Sequence, residues 1–453
     1  MRLTPLEPWI AKKTGRAGTG ECGPESGERD SHDPPRTTHD ALRPSLASYQ
    51  FARLKATVEL ARARSRYYRE RLAKAPEIET LDDLPRLPFT TAEDVRADPL
   101  AFVCVSQDEI ARVVTLDSSG TTGTPKRLYF TKADQELTID FFGVGMSTFT
   151  GPGDRVLILL PGETPGSVGD LLAKGLERIG AVPIKHGPVR DPAAARALAV
   201  REAATVMVGV PTHLLRLVRT TPPGEALPPV HSVLLSTDHV PQALVHAIEN
   251  AWGCTVYNHY GMTETGQGGG VDCEARRGYH LREADLLYEV IDPTTGRPSA
   301  PGTMGEVVFT TLTREGMPLI RYRTGDYGHW IETPCPCGTR LRTLSHITTR
   351  LSGPVDLGSG LWLTQPDLDE AIFAVDGVLN FATEVARIEA GPHVSVAIQT
   401  TPTANPDTVR AEALNALRAL PPLTAAPRLS LDLQCSTEPV SPPTLAKRSI
   451  KLA

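Results

Sequence analysis

The sequence predicts an α/β fold in two parts: a large layered N-terminal domain over residues 46–350 and a small α+β C-terminal domain over residues 351–453. Three observations carry this. Between residues 155 and 260, short β-rich runs alternate with helical stretches, the pattern of parallel strands joined by crossover helices. After residue 284 the texture changes to runs such as 286–292 and 305–312 separated by Pro-Gly turns, as in antiparallel β-structure. Beyond residue 351, one helical pattern, a strand, a second helix and a last strand suffice for a small separate domain.

Taken in order, residues 1–45 are expected to be a flexible segment, because 14–44 are polar, rich in Gly and Pro and without apolar periodicity. From Tyr49 to Leu72, Leu54, Val58, Leu60 and Ala61 recur at helical spacing, so one helix is expected before Pro76, Pro85 and Pro88 break the pattern. The α/β layer should run through a strand at 156–160, a helix near 167–179, a strand at 181–185, a helix near 192–203 and a strand at 205–210. A strand at 232–236, a helix over 241–252 and a strand at 255–260 complete it. In the C-terminal domain, helices are expected at 366–375 and 407–419 and strands at 394–400 and 429–433.

Composition narrows the function classes. Hydrophobic residues make up 40% and charged residues 22%, ordinary for a folded protein. The 53 acidic and 47 basic residues give a net charge of −6 with no long block of one sign, which argues against a nucleic-acid partner. No apolar run reaches the ~18 residues of a membrane span, and the N-terminus lacks a signal-peptide core, so no membrane partner and a cytoplasmic location are expected. Seven Cys in a reducing compartment are more often buried, metal-bound or catalytic than paired; Cys22, Cys104, Cys254 and Cys435 look ordinary.

The strongest chemical signal is Asp117-Ser118-Ser119-Gly120-Thr121-Thr122-Gly123-Thr124-Pro125-Lys126. Glycines let a backbone turn closely around phosphates, hydroxyls donate to their oxygens, and a lysine adds a point charge. Between two β-rich runs, this loop differs from a Walker loop, which opens a helix. Further on, Tyr257-Asn258-His259-Tyr260-Gly261-Met262-Thr263-Glu264-Thr265 closes the last strand of the layer. Ligands gather at such strand ends, and a Thr with a Glu there can hold phosphate and a hard cation such as Mg²⁺. A third segment, Arg321-Tyr322-Arg323-Thr324-Gly325-Asp326, presents a carboxylate that can accept two ribose hydroxyls. Each of the three, alone, also reads as a solvated turn.

Together and in this order, the segments resemble the acyl-adenylate-forming superfamily of AMP-binding enzymes from about residue 50 to the C-terminus. Tyr67-Tyr68-Arg69-Glu70-Arg71-Leu72, the following Pro-rich stretch and residues 289–326 make the chain most similar to the phenylacetate-CoA ligase branch. The resemblance implies a large adenylate-forming domain with a small β-barrel-like part and a mobile C-terminal lid. It also implies ATP-dependent activation of an organic, aryl-type carboxylic acid to acyl-AMP, followed by transfer to CoA. Carried over by position, Ser118, Ser119, Gly120, Thr121, Thr122 and Gly123 with Lys126 hold the β- and γ-phosphates. Thr263 meets the α-phosphate, Glu264 holds Mg²⁺, Tyr260 and Gly261 border adenine and acyl group, Asp326 binds ribose, and Arg350 is the ribose-contacting arginine. Lys447 aligns best with the lid's catalytic lysine, with Lys451 as second choice.

The sequence departs from that family at several points. An acidic hinge pair is replaced by Leu351-Ser352-Gly353, residues 236–239 read Ser-Thr-Asp-His, and Ala92 stands where a Lys is common. Candidate acyl-pocket residues are Phe141, Phe142, Gly209, His213, His259 and Gly268, the last in a Gly-rich run that reads equally as a flexible loop; the two histidines read equally as structural. Cys273, His280, Cys335 and Cys337 have the residue types of a closed Cys₃His zinc site, a pattern this branch resembles, with Asp272 and Asp285 as spare ligands. The expected partners are a small carboxylic acid, ATP and CoA, with a homodimer allowed. The rival expectations are an amine, a carrier-protein thiol or another nucleophile as acceptor, or a non-catalytic nucleotide-binding homologue.

Overall fold

The computed structural model describes residues 1–15, 42–116, 125–226, 228–351, 353–389, 391–440 and 448–452. The chain divides into two compact units: Met1–Thr148, Met262–Thr324 and His329–Ser345 form the first, and Phe149–Gly261, Gly325–Gly328 and His346–Ala453 the second. Among the described residues, no helix is long and apolar enough to cross a membrane.

The second unit carries the expected α/β layer. Five parallel strands, Arg155–Ile158 (β1), Val182–Lys185 (β2), Val206–Gly209 (β3), Ser232–Leu235 (β4) and Thr255–Tyr260 (β5), lie in the order β5-β4-β3-β1-β2. Both β3 and β4 are buried at every position, which is why they read as continuous apolar runs. Helices Val168–Arg178, Pro192–Arg201 and Gln242–Trp252 fall where the sequence puts them. Asp191 caps the second by accepting from Ala193 N and Ala194 N. Gln242–Trp252 has Pro241 at its cap, and the Glu370 carboxylate instead accepts from Gln242 N at 2.7 Å and Ala243 N at 3.0 Å. A further helix, Pro211–Arg219, lies outside the sequence reading; Pro211 starts it and Leu214, Leu215 and Leu217 form its buried face.

The C-terminal residues form the expected α+β arrangement. Val378–Ile388 pairs antiparallel with Gly391–Thr400, which pairs in parallel with Ser430–Ser436; helices Gln365–Phe373 and Pro406–Arg418 accompany them. The first of these strands and the short strand Lys451–Leu452 beside it are additions to the sequence reading. Leu368, Ile372 and Phe373 share one apolar cluster with Leu235, Leu244 and Ile248 of the α/β layer. Arg448 adds a polar tie: it meets both oxygens of Asp369 at 2.8 Å and Asp238 at 3.2 Å.

In the first unit, the expected 49–72 helix begins earlier and is broken once. Leu42–Arg64 ends at Ser65, whose Oγ accepts from Tyr68 N and starts Arg66–Arg71. The opening of the chain departs from the expected flexible segment. Leu6–Lys13 is a helix with Leu6 and Ile10 fully buried, and Glu7 accepts from Thr339 Oγ1 and Arg340 N. Its eight residues are too few to show a helical period in sequence. The strand pair Ile110–Leu116 and Lys126–Thr131 is antiparallel, as the strand–loop–strand reading requires, and leads into helix Lys132–Met146 through a Thr131–Asp134 capping box. Leu286–Ile291 pairs antiparallel with Gly305–Thr311.

Candidate active site and metal centre

The first unit presents a cation–carboxylate–phenol cluster. Lys126 opens its strand, and its Nζ binds Glu264 Oε1 and stands 3.3 Å from Tyr322 Oη. Tyr322 Oη donates to the same Glu264 oxygen at 2.9 Å. Glu264 sits on the short turn Thr263–Thr265, closed by a Thr265 Oγ1 bond from Met262 N and ended by Gly266 at φ 77°, where a left-handed residue is needed. The carboxylate is buried, which works to raise its pKa, but the Lys126 charge and the bonds from Lys126 and Tyr322 outweigh this and hold it below the usual range. An ionised, buried carboxylate beside a lysine ammonium suits a hard cation and a phosphate arriving together. Tyr322 is a member of this cluster that the sequence reading passed over.

The second unit presents a different carboxylate. Asp326 is fully buried, accepts from Tyr260 Oη at 3.1 Å and from Arg350 Nε at 2.8 Å, and pairs across strands with Arg350. Ser236 Oγ and His259 Nδ1 lie 2.9 Å apart at the ends of β4 and β5. Gly209 ends β3, where a Cβ would meet Leu214 Cδ2 at 2.5 Å, so a larger residue there would force the Leu214 side chain to shift.

The remaining expected residues are distributed as follows. Phe141 and Phe142 are buried on helix Lys132–Met146, and Gly268 packs so closely that a Cβ would lie 2.5 Å from Phe141 Cδ1. Ser118, Ser119, Gly120, Thr121, Thr122, Gly123 and Lys447 lie outside the described residues. Lys451 is exposed opposite Glu384.

Burial pushes both His213 and His259 down to about 4, with the Arg216 charge assisting at His213. A histidine with a depressed folded pKa contributes stability above its ordinary value of 6.5 and loses it as pH falls through about 4, because the unfolded chain then binds the extra proton. The melting temperature should therefore fall between pH 6.5 and 4, and His213→Phe should flatten that slope. An unchanged slope in the variant would remove His213 from the account.

The four predicted metal ligands converge. All four side chains are buried, and their ligand atoms lie within 4.8 Å of one another. Cys273 Sγ is 3.5 Å from Cys335 Sγ, and Cys337 Sγ is 3.4 Å from His280 Nε2. A tetrahedral zinc ion has S···S edges of about 3.8 Å and S···N edges of about 3.5 Å, from bond lengths near 2.3 and 2.0 Å. A disulfide needs about 2.05 Å. Local structure delivers the ligands: His280 is pinned in register between Val271 and Thr343, and Gly338 at φ 81° closes a turn back onto Cys335 O. Neither Asp272 nor Asp285 belongs to the group, and Asp285 is engaged by Lys13, Arg282 and Thr313. Bonds from Cys273 first and then His280 hold the Cys337 thiol low against burial, while the bond to Cys337 and burial push the Cys273 thiol up.

Comparison with known proteins identifies a family and a fold. The profile of a family described as AMP-binding enzyme matches residues 36–312. The chain is 32% identical over 316 residues to a phenylacetate-coenzyme A ligase of Thermus thermophilus, covering 65% of this chain and 68% of that protein. It is 28% identical to the Aromatoleum evansii phenylacetate-coenzyme A ligase, covering 79% and 84%. Among solved structures, 2-hydroxyisobutyryl-CoA ligase in the postadenylation state with 2-HIB-AMP superposes with a TM-score of 0.76 at 21% identity, over 94% of this chain and 95% of that one, a likeness of fold.

Proposed function

The chain belongs to the AMP-binding enzyme family, on the phenylacetate-coenzyme A ligase-like branch, and from that premise we propose that it activates an organic acid, of aryl type, in two steps. The acid carboxylate attacks the α-phosphorus of Mg·ATP, forming acyl-AMP and releasing pyrophosphate; the CoA thiol then attacks the acyl carbon, and AMP leaves. The observation that supports this best is the buried Lys126–Glu264 pair with Tyr322 on the same carboxylate oxygen.

In this reading Lys126 leaves Glu264 for the phosphate oxygens, and Glu264 keeps its charge for Mg²⁺. Mg²⁺ neutralises charge on the phosphates, the main demand of phosphoryl transfer. Tyr322 fixes the Glu264 oxygen it already holds, Thr263 faces the α-phosphate, and the loop Ser118–Gly123 surrounds the outer phosphates. Asp326, oriented by Tyr260 and Arg350, accepts the ribose hydroxyls. Residues 351–453 act as the lid, with Lys447, or Lys451 as second choice, meeting the developing charge of the first step.

Cys273, His280, Cys335 and Cys337 hold a structural Zn²⁺, because a fully protein-ligated ion has no open position for substrate. The test of the function is a panel of carboxylic acids in a pyrophosphate-release assay with Mg·ATP, with and without CoA. Acid-dependent release, followed by thiol consumption only when CoA is supplied, is the expected result. Release without thiol consumption assigns a different acceptor; no release with any acid ends the enzyme reading.

A further inference from the structure

Two buried arginines of the first unit, Arg321 and Arg282, are each held by a carboxylate and by backbone carbonyls, although Arg282 Nε has no partner. Arg321, almost fully buried, forms a two-point fork with Glu289 and donates to the carbonyls of Pro85 and Leu87. Arg282 binds Asp285 and the carbonyls of Gly268 and Leu137. Arg314 differs from both in having neither a carboxylate nor a carbonyl partner among the described residues. It is only 6% exposed, and its Nη1 is buried with no acceptor.

Neither nearby carboxylate hydrogen-bonds to it in this structure; both are engaged by other donors. Asp134 accepts from the backbone N–H groups of Thr131, Glu315 and Gly316. Glu264 gives Oε1 to Lys126 and Tyr322. The guanidinium lies over the Phe130 ring at 5.0 Å, a contact that returns only part of the cost of burying a charge. Burial accordingly draws Arg314 down to about 10, against the attraction of Asp134 and Glu264. A buried polar group left without a partner calls for an explanation, and a ligand is one.

Its position suggests which ligand. Arg314 Nη2 is 3.0 Å from where a Cβ on Gly266 would stand, immediately after the Thr263–Glu264 turn. Thr138, on the helix that carries Phe141 and Phe142, donates to Gly266 O at 2.7 Å. We infer that Arg314 is an anion-binding residue that takes an oxyanion of the reactants: a phosphoryl group of the nucleotide or a second carboxylate on the acid. The planar fork of a guanidinium matches both. The identity of the anion rests on the adenylation reading; the unpaired cation does not.

The experiment compares wild type with Arg314→Met, which is apolar and similar in length, and Arg314→Lys, which keeps charge without the fork. Thermal unfolding, calorimetric binding of inorganic pyrophosphate, and KM for monocarboxylic and dicarboxylic acids of equal chain length are measured. Relief of an unpaired buried charge predicts that Arg314→Met melts at or above the wild-type temperature. Pyrophosphate affinity falling at least tenfold points to the phosphoryl source. A tenfold rise in KM for the diacid alone points to the carboxylate source. Unchanged affinity and unchanged KM overturn the inference, whatever the melting temperature. If Arg314→Met does not fold, Arg314→Lys decides by the same two readouts. Failure of the adenylation reading would appear separately, as wild-type protein that releases no pyrophosphate with any acid.

Discussion

Lys126→Ala should slow acyl-AMP formation by about 10²–10³, the usual cost of losing one preorganised charge at a site of developing negative charge. It should also lower stability. Glu264 is buried and, without Lys126, loses its directly bonded counter-charge, and breaking such a pair typically costs about 3–5 kcal/mol. A loss of activity alone would therefore be ambiguous. The double variant Lys126→Ala with Glu264→Gln separates the two effects, because it removes the orphaned charge along with the pair. Its melting temperature should return toward wild type while acid-dependent pyrophosphate release stays low. Recovery of release together with stability would show that the pair is only a structural salt bridge. A single Glu264→Gln variant should lose release as well, and with a raised Mg²⁺ requirement if the carboxylate is a metal ligand.

Much of this site is legible in the sequence because its residues sit in contiguous runs whose chemistry is set by spacing. Lys126 follows the Ser/Thr/Gly stretch, Glu264 follows a strand, and Asp326 follows a Gly turn. Tyr322 is hidden because a tyrosine just after the apolar pair Leu319-Ile320 reads as core. Arg314 is hidden for a different reason. Thr-Arg-Glu-Gly reads as a solvated turn, and nothing in a one-dimensional pattern reveals that the neighbouring carboxylates are already engaged by Lys126 and by backbone N–H groups. The α/β layer follows the predicted alternation, whereas helix Pro211–Arg219 escapes it because it is short and follows β3 without a break. The helix Leu6–Lys13 escapes because its stabilising contacts are with residues more than 100 positions away, Trp9 with Asp140 and Glu7 with Thr339.

Removing the metal should have a large effect on stability and a smaller one on chemistry. The two segments that supply the ligands also hold the start of the chain: Glu7 accepts from Thr339 Oγ1 and Arg340 N just past Cys337, and Arg2 N donates to Glu274, next to Cys273. Protein purified without chelator should contain one zinc per chain. Cys335→Ser should lose it and fall in stability by about 3–5 kcal/mol, as when one partner of a buried charged group is removed. At roughly 2–4 °C per kcal/mol, this is a drop of roughly 6–20 °C in melting temperature. Because Leu6–Lys13 is anchored on those segments, it should become the first protease-sensitive part of the chain when zinc is removed. Pyrophosphate release by the protein that remains folded should change much less than in Lys126→Ala, since the four ligands leave no position for a reactant. Metal-free wild-type protein with an unaltered melting temperature and an N-terminal helix that still resists protease would refute a structural role for the cluster. Loss of release that matches Lys126→Ala at equal folded fraction would instead give the metal a part in catalysis.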